Sequence, residues 1–123
     1  MEQPGQVTLR AYHPTAAPTT VTDRLGLLPT AEYGAGEWSD SLGMEREVSA
    51  WIREYAPARG TAALERALAE IEATGDAWFQ LLREGWAADL MFTPAFGLLG
   101  GPKLSADLLA RLGRCKLPLW LVT

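Results

Sequence analysis

The side chains in this sequence that could do chemistry are few, and each sits where the chemistry would be hard to run. A thiol nucleophile needs a base to make it a thiolate and a carboxylate to orient that base. The chain offers Cys115 and His13, its single cysteine and single histidine, with acids such as Asp89 to complete a set. They lie far apart in sequence, and Cys115 follows the end of an expected helix, where the negative end of the dipole raises a thiol pKa instead of lowering it. Packing for Cys115 and a strand-end loop position for His13 are the simpler reading. One histidine and one cysteine leave only carboxylates as further metal ligands, and neither an EF-hand loop nor a His-x-x-x-His spacing occurs. Glu45 and Glu47 would share one face of a strand as a carboxylate pair, but acids two apart are ordinarily a solvated face. No residue is therefore assigned as catalytic, and no metal or cofactor is expected.

Two weaker constellations concern binding. The run Gly97-Leu98-Leu99-Gly100-Gly101-Pro102-Lys103 has the composition of a phosphate loop but not its spacing, because Pro102 stands where a glycine should precede the lysine and removes an N–H from the cradle. What survives is a candidate anion site made by Lys103 and the free amides of a helix starting at Ser105. The five tryptophans are the other feature. Trp78 and Trp120 fall in apolar patterns and are expected in the core. Trp51, Arg53 and Tyr55 fall on the expected outer side of one strand and Trp38 in a glycine-rich connection, the aromatic and arginine composition that anchors interfaces. These four are the candidate partner-binding residues.

Composition narrows the partner. With 123 residues, 48% hydrophobic and 21% charged, the chain is long enough to bury about two thirds of its unfolded surface as one domain over residues 1–123. A net charge of -4, with eleven scattered Lys and Arg, argues against nucleic acid and favours a basic protein partner. No apolar run approaches the ~20 residues that cross a bilayer, and the start has neither the basic nor the apolar region of a secretory signal. With a single cysteine, a cytoplasmic location is expected, and no membrane partner.

The elements that must position these residues can be read from periodicity. Val7, Leu9 and Ala11 alternate with Thr8, Arg10 and Tyr12 in a first strand that ends at His13-Pro14. A short helix capped by Thr20 carries Val21 and Leu25 on one face and stops at Gly26. A short strand over residues 31–33 leads to the bend at residues 34–36, and residues 37–47 give no clear pattern. The next strand, to Tyr55, places Val48, Ala50 and Ile52 inward and Trp51, Arg53 and Tyr55 outward. Leu64, Leu68 and Ile71 make one helix capped by Thr61, and Trp78, Leu81 and Leu82 a second capped by Asp76, with the break at Thr74-Gly75; one unbroken helix with a weak point at Gly75 is the alternative. A strand over residues 86–92 follows, then a Ser105-capped helix with Leu108, Leu109 and Leu112 inward and Leu104 stapled to Leu109. Residues 117–122, apolar on both faces, are expected as an interior strand at the sheet centre. The class is α+β: a mostly antiparallel sheet of about five strands with helices packed on one face.

The order of these pieces resembles a known family. The strand VTLRAY, the run DRLGLLPT, Gly36-Glu37, the strand around Trp51, paired helices, ADLMF and the closing SADLLARLGRCKLPLWLV together resemble the bacterial domain of unknown function 4279 over nearly the whole chain. The most specific piece is Leu25, Gly26, Pro29 and Thr30. The resemblance implies a compact bacterial α+β domain. The family carries no assigned activity, so no catalytic residue is transferred. The function expected is a non-catalytic protein-binding module acting through the open sheet face and residues 34–44, with immunity against a basic toxin as one version. A homodimer whose sheets pair through that face, and an enzyme or binder of a small anionic ligand, are the alternatives.

Overall fold

A computed structural model describes residues 5–94 and 103–122. The chain runs β1 (Gly5–His13), α1 (Thr19–Leu25), β2 (Ala31–Tyr33), β3 (Trp38–Ser39), β4 (Met44–Glu45), β5 (Ser49–Ala58), α2 (Ala62–Ala73), α3 (Asp76–Arg83), β6 (Ala87–Thr93), α4 (Ala106–Arg114) and β7 (Leu119–Leu121). The main sheet has the order β2-β5-β1-β6-β7, antiparallel except for the β6–β7 pair, and β3 and β4 form a separate hairpin. This is the α+β architecture expected from the sequence, with α2 lying on β1 and β5.

β1 is the centre of the sheet because its alternation is the cleanest in the chain. Val7, Leu9 and Ala11 are buried, while Thr8, Arg10 and Tyr12 keep partial access to solvent on the other face. Register carries these two faces across the sheet. Opposite Ala11, Leu9 and Val7 stand Trp51, Arg53 and Tyr55 of β5, so those three project to the helix side. The expectation that Trp51, Arg53 and Tyr55 face outward is therefore corrected: Trp51 is 0% and Tyr55 6% exposed. Both sides of β5 carry apolar residues, and the larger rings bury more area than Ala50 and Ile52 would, which decides the phase. Arg53 tolerates the inner side because its long stem carries the guanidinium to the rim, where Nη1 donates to Leu28 O at 2.6 Å and Nη2 to Glu70 at 3.0 Å. β5 also runs further than expected, to Ala58, and a register shift opposite Gly5 and Val7 accommodates Pro57.

The last strand differs too. β7 pairs in parallel with β6 and forms an edge of the sheet, not its centre, and Trp120 and Leu121 are each 56% exposed. Trp120 is thus not a core residue, whereas Trp78 is, at 2% exposed. An edge suits the neighbouring Pro118, which has no N–H to give a further strand and uses its carbonyl to accept from Leu90 N.

The helices are those read from the sequence, with changed ends. α1 starts at Thr19 after Pro18, so Thr20 lies inside it, and it closes on Gly26 at φ +70°, whose N–H donates to Thr22 O. Thr61 occupies the cap of α2 but its hydroxyl turns to Glu65 and caps no amide. Gly75, at φ +60°, separates α2 from α3 and takes the cap position, so Asp76 is the first helical residue. Ser105 does cap α4, accepting from Leu108 N at 3.1 Å. Leu108 and Leu112 are buried and Leu104 packs on the core, but Leu109 is exposed, contrary to expectation. The indole of Trp78 donates to Cys115 O at 2.8 Å and ties α3 to the end of α4.

Candidate functional site

The three residues that could have formed a thiol triad do not meet. Cys115 is buried among the helices, and that burial, with the Glu72 carboxylate adding to it, pushes its thiol pKa up. His13 holds the turn after β1: its Nδ1 accepts from Thr15 N at 3.0 Å and Ala16 N at 2.9 Å, which leaves Nε2 to carry the hydrogen and donate to Glu84 O at 3.0 Å. Asp89 lies on the opposite face of the sheet from Cys115, paired through both oxygens with Arg10 at 2.7 and 3.0 Å and accepting from the Trp120 indole at 3.0 Å. Among the described residues no three His, Cys, Asp or Glu side chains are grouped as metal ligands.

The other candidates are placed as follows. Ser105 has its Oγ committed to Leu108 N, Lys103 is exposed, and the glycine-rich part of that loop, residues 97–102, lies outside the described residues. Glu45 and Glu47 are both exposed. Trp38 alone of the four expected partner-binding residues is a surface side chain of the kind anticipated, 64% exposed on β3, its indole donating to Asp40 at 3.0 Å.

The structure assembles a surface that the sequence did not reveal. The helix-free face of the sheet carries three rows set by register: Tyr33, Ala50, Tyr12 and Ala87; then Ala31, Ile52, Arg10 and Asp89; then Glu54, Thr8, Met91 and Trp120. Beside the first row stands the β3–β4 hairpin. It is anchored by Arg46, whose guanidinium carbon lies 3.7 Å from the centroid of the Tyr33 ring and whose Nη2 donates to Ser39 Oγ at 3.3 Å. Ser39 is itself buried, accepts from Leu42 N and stands near Ser41 Oγ at 3.2 Å, so the turn is held from inside. Main-chain bonds from Gly36 N to Arg46 O and from Arg46 N to Glu37 O extend the pairing towards the sheet.

An anchored hairpin should bury its apolar residues, and this one does not. Leu42 and Met44 on the hairpin and Val48 in the connection to β5 are 61%, 44% and 41% exposed, and with Tyr12 and Ala50 they line a cavity of about 320 Å³ between hairpin and sheet. Large apolar side chains grouped in the open mark interaction sites. The sequence did hold one signal for the hairpin: Gly43, at φ +67°, closes a four-residue turn between the two short strands. With only two residues in each strand, alternation had no length over which to show.

The charges of this surface are one-sided. Arg10 is bound to Asp89 and Arg46 to Tyr33 and Ser39. Glu37, Glu45, Glu47 and Glu54 form no ion pair among the described residues. Comparison of the chain with protein-family models, with curated proteins and with solved structures gives no match. Function must therefore be argued from this surface itself.

Proposed function

We propose that the protein is a small non-catalytic protein-binding module, of the type of the bacterial domain of unknown function 4279, that engages its partner through the helix-free sheet face and the β3–β4 hairpin. The observation that carries this reading is the exposure of Leu42 and Met44 on a hairpin fixed by Arg46 and Ser39, with Val48 exposed in the connection that follows it. A rigid apolar surface binds with little ordering cost, which is what an interface anchor requires. Trp38 belongs to the same hairpin; Trp51 and Tyr55 support the surface from beneath. The acidic balance fits a basic partner in the cytoplasm, and immunity against a basic toxin is the particular version it favours.

The test is a native pull-down with the wild type, Met44→Asp and Leu109→Asp side by side. Leu109 is 51% exposed on the helix side and serves as a control of equal chemistry. The reading requires that a retained protein be lost with Met44→Asp and kept with Leu109→Asp; retention by both variants sinks it.

A second reading rests on a separate observation. The edge strand β7 and the residue after it show Trp120, Leu121 and Val122 at 56%, 56% and 39% exposure, and an apolar edge left unpaired among the described residues can pair with the same edge of a second copy. Light scattering separates the two: a mass of 13.4 kDa at high concentration removes the homodimer.

A further inference from the structure

We infer that the groove between the β3–β4 hairpin and the sheet takes a partner segment in which basic and apolar side chains are interleaved. The inference rests on the binding-module reading and adds to it the chemistry of the bound segment. The groove offers apolar contact from Tyr12, Leu42, Met44 and Val48, and carboxylates from Glu45 and Glu47, all of which line it. Its one basic group among the described residues, Arg46, is stacked on Tyr33 and donates to Ser39, so its position is fixed by the protein itself. The carboxylates have no ionic partner among the described residues.

That asymmetry selects the partner. An acidic segment entering the groove would set its charges against Glu45 and Glu47, two carboxylates against the single guanidinium of Arg46 among the described lining residues, and like charges brought together at an interface oppose binding. A wholly apolar segment would leave two carboxylates partly desolvated without a hydrogen-bond donor. Lysine or arginine side chains satisfy both demands, because their aliphatic stems cover Leu42 and Met44 while their charged ends reach the glutamates. The volume of about 320 Å³ is at the small end for a ligand pocket, which suits one or two side chains of a longer segment.

The experiment is selection of short random peptides displayed on phage against the folded full-length chain, with binding of the selected peptides measured by fluorescence anisotropy. Selected peptides should be enriched in Lys or Arg together with Leu, Ile or aromatic residues. Their affinity should fall about tenfold or more with the double variant Glu45→Lys/Glu47→Lys. Raising the salt concentration should weaken them as well. Both glutamates are exposed and form no ion pair among the described residues, so the variant should keep its fold, and circular dichroism checks this. Peptides that are acidic or uncharged, lost with Met44→Asp but indifferent to the glutamate reversal, overturn the inference and leave the binding-module reading standing. Peptides indifferent to Met44→Asp as well overturn both, as does a selection that yields no binder.

Discussion

The indole N–H of Trp51 donates to Thr22 Oγ1 at 3.0 Å, across twenty-nine residues of sequence, and so fastens the first part of β5 to α1 from inside the core. Trp51 is fully buried, and its ring stands opposite Ala11 of the central strand. Trp51→Ala should therefore cost about 3 to 5 kcal/mol by leaving a cavity the size of an indole. Thr22→Val, which keeps the volume and removes only the acceptor, should cost about 1 to 3 kcal/mol by orphaning the buried N–H. Urea unfolding followed by far-ultraviolet circular dichroism measures both. Near-native stability of Trp51→Ala would return that side chain to the surface and undo the assignment of the two sheet faces.

Tyr55 fills the same core but leaves its hydroxyl without a hydrogen-bond partner among the described residues. Tyr55→Phe should consequently be neutral or stabilising by up to about 1 kcal/mol, since the unfolded chain gives up no solvated hydroxyl on folding. Burial, with the nearby Glu70 carboxylate, pushes the Tyr55 pKa up to about 12. The folded protein then holds this proton where the unfolded chain has released it, so stability falls as pH rises from about 10 towards 12. In Tyr55→Phe that component of the alkaline loss should be missing. Equal alkaline profiles for the two proteins would show the phenol to be solvated.

Cys115 should behave as a packed side chain. It is 4% exposed, and its thiol is shifted up by burial, away from the thiolate that reacts. Addition of 5,5′-dithiobis(2-nitrobenzoic acid) to the native protein at neutral pH should release little thionitrobenzoate, and unfolding in guanidinium chloride should release one equivalent. Cys115→Ala should lower stability through the lost packing, by about 1 kcal/mol or somewhat more. Rapid labelling of the native state would mean that the end of α4 opens readily.

Periodicity made most of the elements legible. Val7, Leu9 and Ala11 of β1 alternate with Thr8, Arg10 and Tyr12, and the apolar steps of Leu64, Leu68 and Ile71 in α2 and of Leu108 and Leu112 in α4 leave little choice of inward face. Gly26 and Gly75, both at positive φ, stop helices where the sequence places the stops. The hairpin was not legible, because two-residue strands have no period and their docking depends on Tyr33, thirteen residues from Arg46. The candidate surface followed the same division: Trp38 could be picked out as an exposed side chain, whereas Leu42, Met44, Val48 and Tyr12 became a group only through folding.

The sequence by itself determined the class of the fold, the helix faces apart from Leu109, and the inward side of β1, because each depends on the local spacing of side chains along one element. Tertiary structure decided which side of β5 is buried, that β7 lies at an edge, and where the hairpin stands. Alternation states that a strand has two faces but not which one meets the helices; β5 is apolar on both, and only its register against Val7, Leu9 and Ala11 chose the side of Trp51 and Tyr55. Likewise the apolar run of β7 reports what its side chains are, while its exposure is fixed by the neighbours it pairs with, and β6 is the one strand that does so among the described residues.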